Sequence, residues 1–374
     1  EAFMKKKVCL ILFVAMLIFA VSVMVARTFM YHNFFLMASK LLIEYAWLLC
    51  AIFFSLLVRL PGEQIKSGFR IYAPIMLMSF IVITFRIIFI PNNLVMLIFP
   101  PILLVFTVWQ WRVVKRHNAN IPRSDIFYTW ISLAIMVFST ASALYGYVLL
   151  AVQVLIWWMF QLSCIQTITC VYDMLAQYEK RYLAHKIHSE ADAEKAKKGS
   201  MLSIITVSHN KHINVTWFYD FVYMALVPML SVFSLLLSIW WAADVFDLTA
   251  TVWNIFMFNF LNVTGVVQLS IGKMVMVLSQ FFLFRYINYL VKSLYHKYHK
   301  SKVVVNGKPN FTLANNIIAI CCWGLYFIIS IKLLKIPSTA ISVISAGLAT
   351  GVGFAMKDLL ENFFYGISLM TGRV

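Results

Sequence analysis

The histidine, cysteine and acidic side chains are the groups of this sequence that could bind a metal ion or act in catalysis. Its eight histidines include no HExxH motif, and its six cysteines have no CxxC spacing. No GxxxxGK[ST] phosphate loop occurs, and Gly347, Gly351 and Gly353 do not match a dinucleotide fingerprint. The sequence therefore predicts no metal site, no cofactor and no enzymatic activity.

Ionisable residues inside apolar segments are the other candidates for chemistry, because burying a charge in lipid is costly. Arg86 and Lys273 lie in such segments. Each is about two helical turns from one end, so we expect its long side chain to reach the headgroups or a local partner. A role in conduction or coupling is the alternative. Glu44 and Asp173 are expected near span ends, whereas a proton-coupled carrier needs several acids at mid-depth.

The composition decides the class of protein. Hydrophobic residues make up 62% of the chain, charged residues only 12%, and the mean hydropathy is +0.85. Soluble domains carry about 25% charged residues. A chain this apolar needs lipid as its solvent, which predicts an all-α integral membrane protein. About ten segments are long enough to span: 8–26, 38–58, 71–90, 94–111, 126–145, 147–176, 217–243, 266–290, 313–334 and 339–357.

The basic residues give the predicted orientation. The net charge is +17, and most of the 31 lysines and arginines fall in alternate connections between spans. This is the asymmetry of cytoplasmic loops, so we expect a cytoplasmic N-terminus and no nucleic-acid partner. Residues 244–265 include the apolar run 252–264, but its asparagines and the resulting loop positions favour an interfacial or re-entrant segment on the outer face. The polar stretch 177–216 is expected to be a cytoplasmic helix that extends span six, and a docking site for anionic lipid or a partner is the alternative.

Small residues define one face of the last span. On a helix, Val343, Thr350 and Phe354 fall within about 20° of one line. The flanks of this line carry small residues: Ala346, Gly347, Ala349, Gly351 and Gly353. Since close helix packing in a membrane requires small residues, the pattern predicts a ring of identical helices around an apolar constriction. A glycine-rich helix packed inside its own subunit is the alternative.

The pattern changes after this face, at Lys357 and Asp358. From Asp358 the sequence is amphipathic, which is typical of a helix lying along the membrane interface. Straight continuation would place these charges in the bilayer. We therefore predict a kink near 356–358, between a pore helix over 339–357 and an interfacial helix over 358–372.

The stretch GLATGVGFAMKDLLENFFYGISLMTGRV, which begins at Gly347, resembles the pore helix of the small-conductance mechanosensitive channel (MscS-like) family. In that family a Gly/Ala-rich pore helix kinks and continues as an interfacial helix, whose asparagine and glycine correspond to Asn362 and Gly366. Thr350 and Phe354 match the positions of its two constricting rings. The resemblance is specific over 341–373.

The resemblance also implies a domain organisation. Residues 266–374 would form a three-span channel core, and residues 1–243 would be extra peripheral, tension-sensing helices, as in the larger potassium-efflux-associated (MscK-like) members. Such proteins are homoheptamers of the bacterial inner membrane. Their pore helix leads into a β-rich cytoplasmic vestibule, and this sequence stops at Val374, before such a domain.

The expected function is an ion channel that opens under membrane tension. It would be weakly selective and would release ions and small osmolytes in hypo-osmotic shock. Its expected partners are membrane lipids and further copies of the chain. A secondary transporter of ions or small solutes is the alternative, although no internal repeat supports it.

Overall fold

The structure is a computed structural model, and helices account for most of the residues that it describes. The described residues are 2–30, 32–60, 64–88, 92–116, 122–183, 213–263, 267–298, 304–305, 308–309, 311–336 and 338–370. The helices are α1 Ala2–Phe29, α2 Asn33–Arg59, α3 Ile65–Ile87, α4 Asn92–Lys115, α5 Arg123–Leu144, α6 Val148–Tyr178, α7 Ile213–Phe221, α8 Val227–Val245, α9 Thr249–Met257, α10 Ile271–Tyr298, α11 Thr312–Leu333 and α12 Ser338–Met370.

Ten helical segments of the described chain are long and apolar enough to cross a membrane. Each overlaps one of the ten predicted spans, so the prediction of an all-helical chain with about ten candidate spans is confirmed. The architecture is compatible with a multi-pass membrane protein. Two short antiparallel strand pairs add to the helices: β1 Asn259–Val263 with β2 Val267–Ser270, and β3 Val304–Val305 with β4 Lys308–Pro309.

Proline and glycine explain several of the helix boundaries. Leu60, which ends α2, has extended backbone angles because residue 61 is a proline. The turn between α5 and α6 uses Gly146 at a φ of 91°, a conformation that glycine adopts without steric cost. A π-helical turn over Val222–Leu226 joins α7 to α8 immediately before Pro228, which has no amide hydrogen for a regular helical bond.

The hydrophobic core lies among the first six helices. Leu48 and Ile52 of α2 and Phe160 of α6 are completely buried, and α3 and α5 pack against the same core. Helices α1 and α4 lie at its edge, against α2 and α5 respectively. These six helices, which we call the peripheral bundle, therefore form one packed unit.

Packing becomes sparser toward the C-terminal end of the chain. Helix α8 contacts α6 of the peripheral bundle, α10 contacts α8, and α11 contacts α10. Helix α12 makes no extensive packing contact with the described part of its own subunit, and none of its described side chains is buried. The predicted pore helix is thus the least packed long helix of the chain that the structure describes.

Candidate functional site

The predicted gate residues all lie on exposed positions of α12. Val343 is 73% exposed and Phe354 is 76% exposed. Thr350 donates its hydroxyl hydrogen to the carbonyl oxygen of Ala346 at 2.8 Å. Because that hydrogen is already used inside the helix, Thr350 presents a less polar surface to its surroundings than a free hydroxyl would.

No steric contact within the described part of the subunit explains why α12 carries glycines. A Cβ atom added at Gly347, Gly351 or Gly353 would meet no atom within 4 Å. Gly68 of α3 gives the contrast, since a Cβ there would approach a Leu56 methyl carbon to 2.6 Å. At Gly68 a Cβ would therefore displace leucine side chains of the peripheral bundle. In α12 the contacts within the subunit do not require glycine. Ala346 and Ala349 share this exposed surface.

The predicted hinge lies inside one uninterrupted helix. Helix α12 continues through Lys357 and Asp358, so no boundary separates the predicted pore helix from the predicted interfacial helix. The ammonium of Lys357 lies 3.8 Å from the carboxylate of Glu361, one turn later, and this pairing favours a continuous helix. Asn362 and Gly366 are exposed on the same helix. Residues 371–372 of the predicted interfacial helix lie outside the described residues.

Arg86 has a local partner, which is one of the two positions expected for its long side chain. Its Nη2 donates to the carbonyl oxygen of Val245, the last residue of α8, at 3.2 Å, and its guanidinium lies 5.1 Å from the Phe246 ring centroid. A cation is favoured at a helix C-terminus because the carbonyl groups there carry partial negative charge. Arg86 therefore ties α3 to the end of α8.

Lys273 is held by the β1–β2 hairpin. Its ammonium donates to Asn259 Oδ1 at 3.2 Å and to the Gln268 carbonyl oxygen at 3.0 Å. The hairpin and the short helix α9 occupy most of the segment predicted to be interfacial or re-entrant. Lys273 thus fixes the start of α10 to this hairpin.

The structure also shows a buried ionic network that the sequence did not predict. Arg59, at the end of α2, donates to both carboxylate oxygens of Asp125 at 2.7 and 2.8 Å, and to Asp173 at 2.7 Å. Tyr72 donates to Asp125 at 2.9 Å, and Gln166 donates to the Tyr72 oxygen at 2.9 Å. Side chains from α2, α3, α5 and α6 therefore meet around one guanidinium, and we call these five residues the Arg59 network.

A signal for this network was present in the sequence. Asp125 opens one span and Arg59 closes another, and the predicted orientation puts both on the same side as Asp173. Opposite charges at one depth of a membrane are expected to pair. Arg59 follows a span as many other basic residues of the chain do, so the charge pattern alone does not single it out.

A cavity of about 740 Å³ lies beside the Arg59 network. Its walls include Arg59 and Asp173 on one side and Arg285 of α10 on the other. Among the described residues, no group of three or more histidine, cysteine or acidic side chains could hold a metal ion. Two of the charged residues that line the cavity, Arg59 and Asp173, form an ion pair at 2.7 Å.

No family model, curated protein or solved structure matches the chain. The likeness of its C-terminal stretch to the mechanosensitive channel family therefore rests on the residues of that stretch.

Proposed function

We propose that this chain is one subunit of a ring-shaped ion channel opened by membrane tension, with α12 surrounding the pore. The observation that carries the proposal is that no described side chain of α12 is buried and that a Cβ added at Gly347, Gly351 or Gly353 would meet no atom within 4 Å in the described part of the subunit. The alternative that these glycines pack inside the subunit has no support in the contacts of α12.

Small residues on α12 favour contact with protein over contact with lipid alone. Lipid solvates a leucine-rich helix as well as a glycine-rich one, and glycine weakens a helix in water by about 1 kcal/mol relative to alanine. Glycine is useful where two backbones approach closely. Since α12 has two small-residue flanks, two neighbouring copies of α12 are the partners that fit it.

Such a ring places Val343, Thr350 and Phe354 around a central axis. The line from Val343 to Phe354 covers about 16 Å at the helical rise. Its side chains would give an apolar constriction, which blocks ions when water leaves it. An apolar ring carries no charge to select between ions, which agrees with weak selectivity.

Membrane tension would favour whichever conformation occupies the larger area in the membrane plane, as a ligand favours the state that it binds better. The peripheral bundle would enlarge the surface on which lipid acts. A kink at Lys357 and Asp358, which we propose for the assembled ring, would lay the amphipathic half of α12 along the interface and keep its charges out of the bilayer.

The remaining properties follow from the resemblance and from the basic residues. We propose a homoheptamer in a bacterial inner membrane, with the N-terminal end of this chain and the C-terminal end of α12 in the cytoplasm. Membrane lipids, other copies of the chain and the permeating ions and osmolytes are its partners. No catalytic activity, cofactor or nucleic acid enters the proposal.

Electrical recording and particle imaging test the proposal together. In patches containing the purified chain, we expect unitary current steps under suction, and we expect ring-shaped particles with about sevenfold symmetry in images. Monomeric particles would contradict the pore. Intact rings without any tension-dependent current would contradict the function while leaving the assembly in place.

The second candidate, a secondary transporter, is favoured by one observation. Glu44 is an ionisable group inside a candidate span, which is where transporters bind coupling ions. A transporter would accumulate solute in vesicles under an ion gradient and would give no unitary currents. The same recordings therefore separate the two candidates.

A further inference from the structure

A second cavity, of about 370 Å³, opens on the outside of the subunit between α2, α6 and α8. Pockets of roughly 300–1,000 Å³ hold drug-sized ligands. Its walls are almost entirely apolar. Apart from the tryptophans, the residues with polar side chains in its lining are Glu44, Ser163, Cys164, Thr167 and Ser234.

Glu44 lies in the middle third of α2, which begins at Asn33 and ends at Arg59. The predicted span begins at residue 38, and α2 begins five residues before it. An acid at this depth of a membrane helix is a functional candidate, since burying its charge without a partner is costly.

The cation closest to Glu44 along α2 is already engaged. Lys40, one turn away, forms an ion pair with Asp244 of α8. Among the described residues, none forms an ion pair or a hydrogen bond with the Glu44 carboxylate. Glu44 lines the cavity, so its carboxylate, when ionised, would favour a positive charge there.

Aromatic side chains complete the cavity. Trp47, one turn beyond Glu44, and Trp241 of α8 both line it, together with Phe233. The indole nitrogen of Trp47 donates to the Thr167 hydroxyl at 2.9 Å, which holds that ring in place. Aromatic faces attract cations, most strongly where water is excluded.

We propose that this cavity binds a lipophilic organic cation, with the positive charge beside Glu44 and an apolar body against the tryptophans. A neutral acyl chain would make no use of the carboxylate. A divalent metal ion would need six or more oxygen ligands, and the lining offers one carboxylate and three hydroxyls. The inference does not depend on whether the chain is a channel or a transporter.

Tetraphenylphosphonium and tetraphenylborate provide a matched pair of probes, because they share one shape and carry opposite charges. Binding to the full chain in lipid nanodiscs would be measured by equilibrium dialysis, with protein-free nanodiscs as the blank. We expect saturable binding of tetraphenylphosphonium with one site per chain, and no saturable binding of tetraphenylborate.

Glu44→Gln keeps the size of the side chain and removes its charge. It should weaken tetraphenylphosphonium binding at least about tenfold, because truncating one partner of a desolvated charge pair is costly. Leu237→Trp fills the cavity without changing any charge and should remove binding as well. Glu361→Gln, on exposed α12, is the matched control and should bind as the unaltered chain does.

Size-exclusion elution checks that each variant is folded. If Glu44→Gln is not folded, loss of binding in folded Leu237→Trp is the test instead. Unchanged affinity in folded Glu44→Gln would overturn the proposal, because Glu44 would then hold no cation. Equal binding of both probes would overturn it too, since the site would recognise shape alone. Absence of saturable binding of tetraphenylphosphonium by the unaltered chain would have the same consequence.

Discussion

Phe354 is the largest side chain on the proposed pore line, so at the scale of single residues the proposed closure would depend on it most. Thr350 lies one turn before it and uses its hydroxyl within the helix. In a ring, the copies of Phe354 would therefore form the narrowest apolar collar. An ion entering such a collar would lose hydration without gaining ligands in return.

Phe354→Ser is expected to open at lower tension and to leak at rest, because the smaller hydroxyl side chain keeps the closed pore wet. Cells that express it should grow slowly. Phe354→Leu keeps an apolar collar and should gate almost normally, which makes it the matched control. Patch recordings at equal expression measure the threshold, and a normal threshold without leak in Phe354→Ser would show that this residue is not the seal.

The Arg59 network should contribute strongly to stability. Asp125 is 2% exposed and receives hydrogen bonds from Arg59 and Tyr72. Asp125→Asn leaves the guanidinium poorly compensated, and breaking a buried pair in this way costs on the order of 3 kcal/mol. We expect a clearly lower midpoint of thermal unfolding in detergent.

Two variants serve as controls for the Asp125 prediction. Tyr72→Phe removes one hydrogen bond and should cost about 1 kcal/mol. Asp358→Asn makes the same chemical change on exposed α12 and should leave the midpoint almost unchanged. If Asp125→Asn melts no earlier than Asp358→Asn, the network makes no net contribution to stability.

The sequence predicts a spatial relation between residues most readily when those residues lie close together in the chain. The alignment of Val343, Thr350 and Phe354 on one face needs only helical periodicity, which lies within a dozen residues. The pairing of Arg59 with Asp125 joins helices far apart in the chain, and no local pattern contains it. Glu44 lies farther inside α2 than inside the predicted span 38–58, because the helix also includes residues 33–37.

At the scale of elements, the length of each hydrophobic segment predicts the long helices, because the thickness of the lipid bilayer sets that length. The hairpin of β1 and β2 was not predicted as strands, because its strands are short and interrupted by asparagine, a residue that strands disfavour. Whether α12 bends at the predicted hinge also depends on its surroundings. Lys357 and Glu361 can pair along a straight helix, whereas an interface would favour bending it.

Gly351→Leu and Gly353→Leu should make the channel harder to open or prevent its assembly. A leucine side chain on either flank of α12 would force neighbouring helices apart. Val352→Leu adds bulk on the opposite face and should assemble and gate normally. Native electrophoresis measures assembly and patch recordings measure the threshold. If both glycine variants behave as Val352→Leu does, the flanks of α12 are not in contact with other copies.

At the scale of the whole molecule, the structure divides into a well-packed part and an exposed part. The peripheral bundle buries its core within one subunit, whereas α12 leaves its apolar surface uncovered. Helices α8, α10 and α11 form a series of successive contacts that begins at the bundle, and α11 precedes α12 in the chain. Because α12 has no extensive packing contact with α11, the proposed gating requires that movement of the bundle reach α12 through the connection between these two helices or through neighbouring subunits.

The orientation of the whole molecule is fixed by the side on which each connection lies, and one span provides a sharp test. The candidate span Thr216–Val245 separates the polar stretch before it from the turn at Phe246 and Asp247. A fluorescent protein that folds only in the cytoplasm should be active when inserted at 185–200, and alkaline phosphatase, active only after export, should be active at 246–250. Exchanging the two reporters between the sites should abolish both activities and is the control.

If both sites report the same side, Thr216–Val245 does not cross the membrane. The lysine-rich connection between α10 and α11 would then lie outside, and the C-terminal half of α12 could not lie along the cytoplasmic face.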